Sequence, residues 1–211
     1  MKRLFFVLCL VFLAACAPST SVAATPTRVN VYATSAAGSW LNEAFTCAAQ
    51  QNVTLNVLAD PAQAELVLRI SEPDALTTPA YQIDTEEILV VTHRESPLQA
   101  LTLEQVRDLF AGRGDPSVQV WVYASGEEPQ KVFDQLVMAG GSVTSFARMA
   151  ASPQEMSDAL NNESNAVGIL PRHWKMGSAR EIYAVGTVPV LAIVKAEPQG
   201  AVKSLIACLQ K

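Results

Sequence analysis

The sequence has few of the residues from which catalytic and metal centres are built. It holds only two histidines, His93 and His173, and neither stands at a metal-ligand or triad spacing. There is no Cys-x-x-Cys and no Cys/His cluster, so structural zinc has no ligand set and no metal is expected. Gly-x-Ser-x-Gly, Walker A, His-Glu-x-x-His and Gly-x-Gly-x-x-Gly are all absent. With no nucleophile–base pair and no cofactor motif, an enzyme is not the expected reading. Lys/Arg clusters are also missing, and the formal net charge is −5. This argues against nucleic acid and against a polybasic membrane patch.

No apolar run is long enough to span a bilayer, which takes about 20 residues. The longest, Leu4–Leu13, follows Lys2-Arg3 and reads as the h-region of a secretory signal. It ends in Leu13-Ala14-Ala15-Cys16, which resembles the lipobox of bacterial lipoproteins. That resemblance implies a signal peptide over 1–15, lipidation of Cys16, and a location on the extracytoplasmic face of a membrane. An ordinary secretory cleavage nearby is the alternative. Residues 16–27 are small, polar and punctuated by proline, and read as a flexible tether.

Of the four cysteines, Cys9 lies in the signal and Cys16 takes the lipid. Cys47 and Cys208 remain, an even pair in an oxidising compartment. They read either as a disulfide or as two buried free thiols. A bridge over so long a loop would be worth on the order of 5 kcal/mol in the loop-entropy model.

Half of the chain is hydrophobic, enough for a sizeable core, and a monomer is expected. Beyond the tether, strand and helix patterns alternate. Arg28–Ala33, Val53–Leu58, Leu66–Ile70, Glu87–Thr92, Val118–Tyr123 and Ala166–Leu170 read as strands, as do Glu181–Val185 and Val188–Val194. A helix from Gly38-Ser39 to Gln50 would bury Trp40, Leu41, Ala44, Phe45 and Ala48. Thr102–Phe110 carries a capping box, Thr102 with Gln105, and a stripe of Leu103, Val106, Leu109 and Phe110. Further helices are predicted from about Glu128 to Met138, Ser152 to Asn161 and Pro198 to Leu209. The alternation implies an α/β fold with buried strands.

The stretch Glu87–Gly112 resembles phosphate-type ABC transporter substrate-binding proteins where their chain enters the second lobe. Leu101, Thr102, Glu104, Gln105, Leu109, Phe110 and Gly112 carry the likeness. Asn165-Ala166-Val167-Gly168-Ile169 resembles the family's return strand, and Tyr32–Trp40 its first β-loop-helix. The resemblance implies a type II periplasmic-binding-protein-like fold, two small α/β lobes with a cleft between them. Lobe one would be 28–88 plus 175–211 and lobe two 89–174. It also implies a small-molecule or oxyanion ligand, phosphate for instance, and an ABC permease as partner.

Ligand contacts implied by the resemblance are Thr34, Ser35, Ser39, Ser71, Ser125 and Gly126. They are hydroxyls and N–H groups of the kind that hold oxyanions at helix starts. One departure stands out. The family has an Arg before its Ser-Gly-Thr, whereas here no Arg precedes Ser125-Gly126 and Glu127-Glu128 follow. Two carboxylates would repel phosphate by about 1–4 kcal/mol per charge pair at surface dielectrics. Arg94, Arg148 and Arg172 are the candidates for a substitute cation. The departure keeps a second reading open, a non-transporting sensory or protein-interaction lipoprotein that retained the fold and lost the anion site.

Overall fold

The computed structural model describes residues 26–210. The expected signal peptide, the expected lipidation site Cys16 and the expected tether up to residue 25 lie outside the described residues. One eight-stranded mixed sheet organises everything else, in the order β2-β1-β3-β8-β4-β7-β5-β6. Its strands are β1 (Thr27–Ala33), β2 (Val53–Val57), β3 (Leu66–Ile70), β4 (Ala80–Thr92), β5 (Gln119–Val122), β6 (Arg148–Met149), β7 (Ala166–Pro171) and β8 (Arg180–Val194). Helices α1 (Leu41–Gln50), α2 (Leu103–Phe110), α3 (Glu128–Phe133), α4 (Pro153–Asn162) and α5 (Gly200–Leu209) lie between or after them. Among the described residues no helix is long and apolar enough to cross a membrane.

Two long strands make this sheet into two lobes. β4 and β8 pair antiparallel from Ala80–Ile193 to Thr92–Arg180. At one end of this ribbon β8 offers Val190–Val194 to β3. At the other end β4 offers Ile88–Thr92 to β7. Strands β1, β2 and β3 therefore hang on one end, and β7, β5 and β6 on the other. The ribbon's register slips three times, and two of the slips, at Ile88/Leu89 and Val90/Val91, fall where β7 takes over.

The sequence pattern explains the buried segments. Ile88–Val91 and Ala166–Leu170 are apolar without alternation and all are buried, with α3 and α4 packed against both strands. Gly168 sits where α4 meets β7. A Cβ there would come within 2.5 Å of Met156 Sδ and 3.2 Å of Trp121 Cβ. The Phe110 and Phe133 rings meet at a tilt in the core of the second lobe, centroids 4.5 Å apart. Thr102 caps α2 with the capping box complete, and Ser152 caps α4.

Several expectations need correction. Glu181–Val185 and Val188–Val194 are not two strands but one, because Gly186 and Thr187 pair with Ile88 and Glu87 instead of turning. Pro189 is tolerated inside it since pairing to β3 begins only at Val190. β4 starts at Ala80, not Glu87, as its polar first half is held by β8. The first helix opens as a 3-10 turn over Ala36–Trp40. The helix at Glu128 changes to π winding over Asp134–Met138. Phe45 and Leu103, placed on buried stripes, are exposed. The two readings of the cysteines resolve into one: Cys47 on α1 and Cys208 on α5 are disulfide-bonded, with Cα atoms 5.8 Å apart.

Candidate functional site

The site is assembled where the end of β1 and the end of β3 in one lobe meet the start of α3 in the other. Thr34 follows β1, and its N–H donates to Leu68 O on β3 at 3.0 Å. Its hydroxyl accepts from Ala37 N and donates to Glu128 Oε2 at 2.7 Å. Ser35 donates to Glu127 Oε2 at 3.0 Å. At the end of β3 the Ile70 N–H also reaches Glu128 Oε2, at 3.4 Å. Arg69 Nε lies 3.0 Å from Glu128 Oε1. That N–H, however, donates to Ser71 O. Oε1 thus has a cation beside it but receives no hydrogen bond among the described residues.

Glu128 is therefore a buried carboxylate, 6% exposed, reaching out of the second lobe into a cluster of donors on the first. Burial pushes its carboxyl above the ordinary value. The Thr34 hydroxyl, Arg69 and the Ile70 N–H pull the other way, and neighbouring Glu127 adds to the rise. Tyr123, on the same loop, is buried with its hydroxyl unpartnered among the described residues. Burial, with Glu127 nearby, pushes it well above its usual range. One turn further along α3, Lys131 pairs with Asp74 at 2.9 Å and holds that carboxyl below its ordinary value. A cavity of about 370 Å³ opens beside the pair, lined by Ser71, Glu72, Gln135 and Thr187 among others.

A second junction closes the opposite flank of the first β-loop-helix. The Trp174 indole donates to Ala36 O at 2.8 Å. The His173 ring lies 4.4 Å from that of Trp40 and faces the fully buried Glu86 at 3.0 Å. Burial outweighs His173 and leaves the Glu86 carboxyl raised. Both histidines are in ordinary local roles, since His93 Nδ1 accepts from Glu95 N. Among the described residues no group of three or more His, Cys, Asp or Glu could hold a metal.

The predicted contacts divide accordingly. Thr34 and Ser35 face the carboxylates Glu128 and Glu127, and Ser71 adjoins them in a left-handed conformation at φ 57°. The Ser39 hydroxyl is buried, caps nothing and has no partner among the described residues. Ser125 and Gly126 are exposed. Ser125 lines a separate surface cavity with Tyr123, Gln130 and Gly140. The three arginines considered as substitute cations are elsewhere. Arg94 pairs with Glu95, Arg148 with Glu163, and Arg172 with Glu87 and Glu181. The cation at the site is Arg69, which the sequence reading missed. Its signal was an arginine inside the apolar strand Leu66–Ile70, where a charge calls for a partner.

No family model and no curated protein matches the chain. Solved structures do, at low identity. A protein from Clostridium perfringens assigned as a phosphate ABC transporter substrate-binding protein, with phosphate bound, superposes with a TM-score of 0.73 at 16% identity. The match covers 87% of this chain and 93% of that one. An ABC-type phosphate transport receptor from Vibrio cholerae gives 0.64 at 16% identity, over 87% and 93%. The CcmR regulatory domain of Synechocystis PCC6803, in complex with 2-PG, gives 0.67 at 11% identity, over 87% and 96%. The fold is type II periplasmic-binding-protein-like, shared by solute receptors and regulatory domains alike.

Proposed function

We propose that this protein is a lipid-anchored, extracytoplasmic protein that kept the two-lobe ligand-binding fold and serves as a non-transporting sensory or protein-interaction lipoprotein. One observation carries the reading: the Glu128 carboxylate lies among the donors of the first lobe, where an oxyanion would have to sit. A tetrahedral, multiply charged anion would need to expel a buried carboxylate and then lie beside Glu127. Each such like-charge contact costs about 1–4 kcal/mol at surface dielectrics. The cleft is thereby tuned against phosphate and toward an internal contact that holds the lobes together.

A second reading is a solute-binding lipoprotein that hands a different ligand to an ABC permease. What favours it is the inter-lobe cavity beside Lys131 and Asp74, together with a fold shared by phosphate receptors.

Thermal melting of the Cys16→Ser mature chain decides between them. Phosphate, sulfate, molybdate, amino acids and small sugars are each added in excess. A ligand bound only by the native state stabilises by about 2.7 kcal/mol at a hundredfold excess over its Kd. No shift with any of them is expected. A shift with phosphate would overturn the proposal, and a shift with an amino acid or sugar would establish the second reading.

A further inference from the structure

Resting on the reading that Glu128 fills the oxyanion position, we infer that the first lobe carries a carboxylate-binding site which the protein occupies with its own side chain. The class of ligand that site takes from solution once Glu128 is removed is then a small monocarboxylate, not a tetrahedral oxyanion.

The donors fit a carboxylate. One oxygen, Oε2, receives the Thr34 hydroxyl at 2.7 Å and the Ile70 N–H at 3.4 Å. The other, Oε1, lies 3.0 Å from Arg69 Nε. A single guanidinium matches a single negative charge, and Arg69 is itself largely shielded, with 19% of its side chain exposed. Lys131, one turn further along α3, is already paired with Asp74.

The internal ligand is also imperfect. Oε1 is buried and accepts no hydrogen bond among the described residues, and burial outweighs the favourable partners in setting the state of the carboxyl. The tether to α3 fixes where the carboxylate can lie, so it cannot turn both oxygens to donors. An untethered carboxylate has that freedom. In the intact chain it must compete with Glu128, whose attachment gives it a high effective concentration. Removing Glu128 exposes the site. Glu and Ala differ by one CH2–COO⁻ fragment, and acetate is that fragment carrying one more hydrogen.

The test is chemical rescue. Glu128→Ala is melted in sodium acetate and in sodium chloride of equal ionic strength, and 13C-acetate line broadening is read on the same samples. A saturable rise in Tm with acetate is expected for Glu128→Ala. It should be absent in the wild type and in isosteric Glu128→Gln, and lost in Thr34→Val/Glu128→Ala. Sulfate and phosphate should give no rise beyond chloride. If Glu128→Ala does not fold in chloride, its refolding yield in acetate against chloride becomes the readout. A folded Glu128→Ala indifferent to acetate overturns the inference, as does an equal rise with phosphate or one that survives Thr34→Val. These failures are distinct from failure of the proposed function, which is read on the intact chain with Glu128 in place.

Discussion

The Thr34 hydroxyl donates to the Glu128 carboxylate at 2.7 Å, across the cleft and between residues 94 apart in the chain. Thr34 is fixed by its own N–H to β3, and Glu128 by the start of α3, so the bond ties one lobe to the other.

Thr34→Val should therefore destabilise the protein. The change is nearly isosteric, but it leaves a buried carboxylate with one donor fewer. Losing a hydrogen bond to a buried charged group costs about 1.5–3 kcal/mol. Urea unfolding at neutral pH measures it. Ser35→Ala, at an exposed contact, should change the midpoint far less.

Stability should depend on pH through Glu128. Its folded pKa is raised above the ordinary 4.5, so the native state holds a proton that the unfolded chain releases first. The stability linked to that proton is fully present below 4.5 and is lost as pH rises through the folded pKa. Glu128→Gln removes this titration while Glu86, also raised, remains. The difference in unfolding free energy between wild type and Glu128→Gln should thus move against the wild type as pH rises across that window. A flat difference would show that Glu128 titrates alike in both states.

The Cys47–Cys208 bridge joins α1 to α5 and closes a loop of 161 residues. Replacing both cysteines with Ala should cost about 2–5 kcal/mol. The loss is expected as a lower urea midpoint, and reductant should lower the wild type likewise without affecting the double variant.

Gly168→Ala should be among the most harmful single methyl additions. The new Cβ would meet Met156 Sδ at 2.5 Å and the Trp121 backbone oxygen at 3.3 Å. Overpacking of this kind costs about 1–3 kcal/mol. Met156 is flexible and Trp121 O is not, so Met156→Ala should recover only part of the loss in a double-variant unfolding experiment.

Much of the fold was legible because its signals are local. Alternation in Arg28–Ala33, the capping box of Thr102 with Gln105, and the Ser152-Pro153 start each act within a few residues. The buried strands Ile88–Val91 and Ala166–Leu170 announce themselves by unbroken apolar runs. Where pairing across the sheet overrides local preference, the sequence misled. The polar start of β4 is a strand because Val188–Ile193 of β8 hold it, and Gly186-Thr187 of β8 stay extended because Ile88 and Glu87 of β4 hold them.

The candidate site divides in the same way. The sequence shows no familiar metal or triad spacing, the family resemblance implied Thr34, Ser35, Ser39, Ser71, Ser125 and Gly126 as contacts, and the carboxylates Glu127-Glu128 read as hostile to phosphate. Only the last of these follows from charge alone. Folding decided that Glu128 lies among the Thr34 and Ile70 donors, and that Arg69 is the cation beside it. Neither was readable beforehand, because 58 residues separate Glu128 from Ile70 and 94 from Thr34. Only the closure of two lobes hung on the β4–β8 ribbon brings those groups within hydrogen-bond distance.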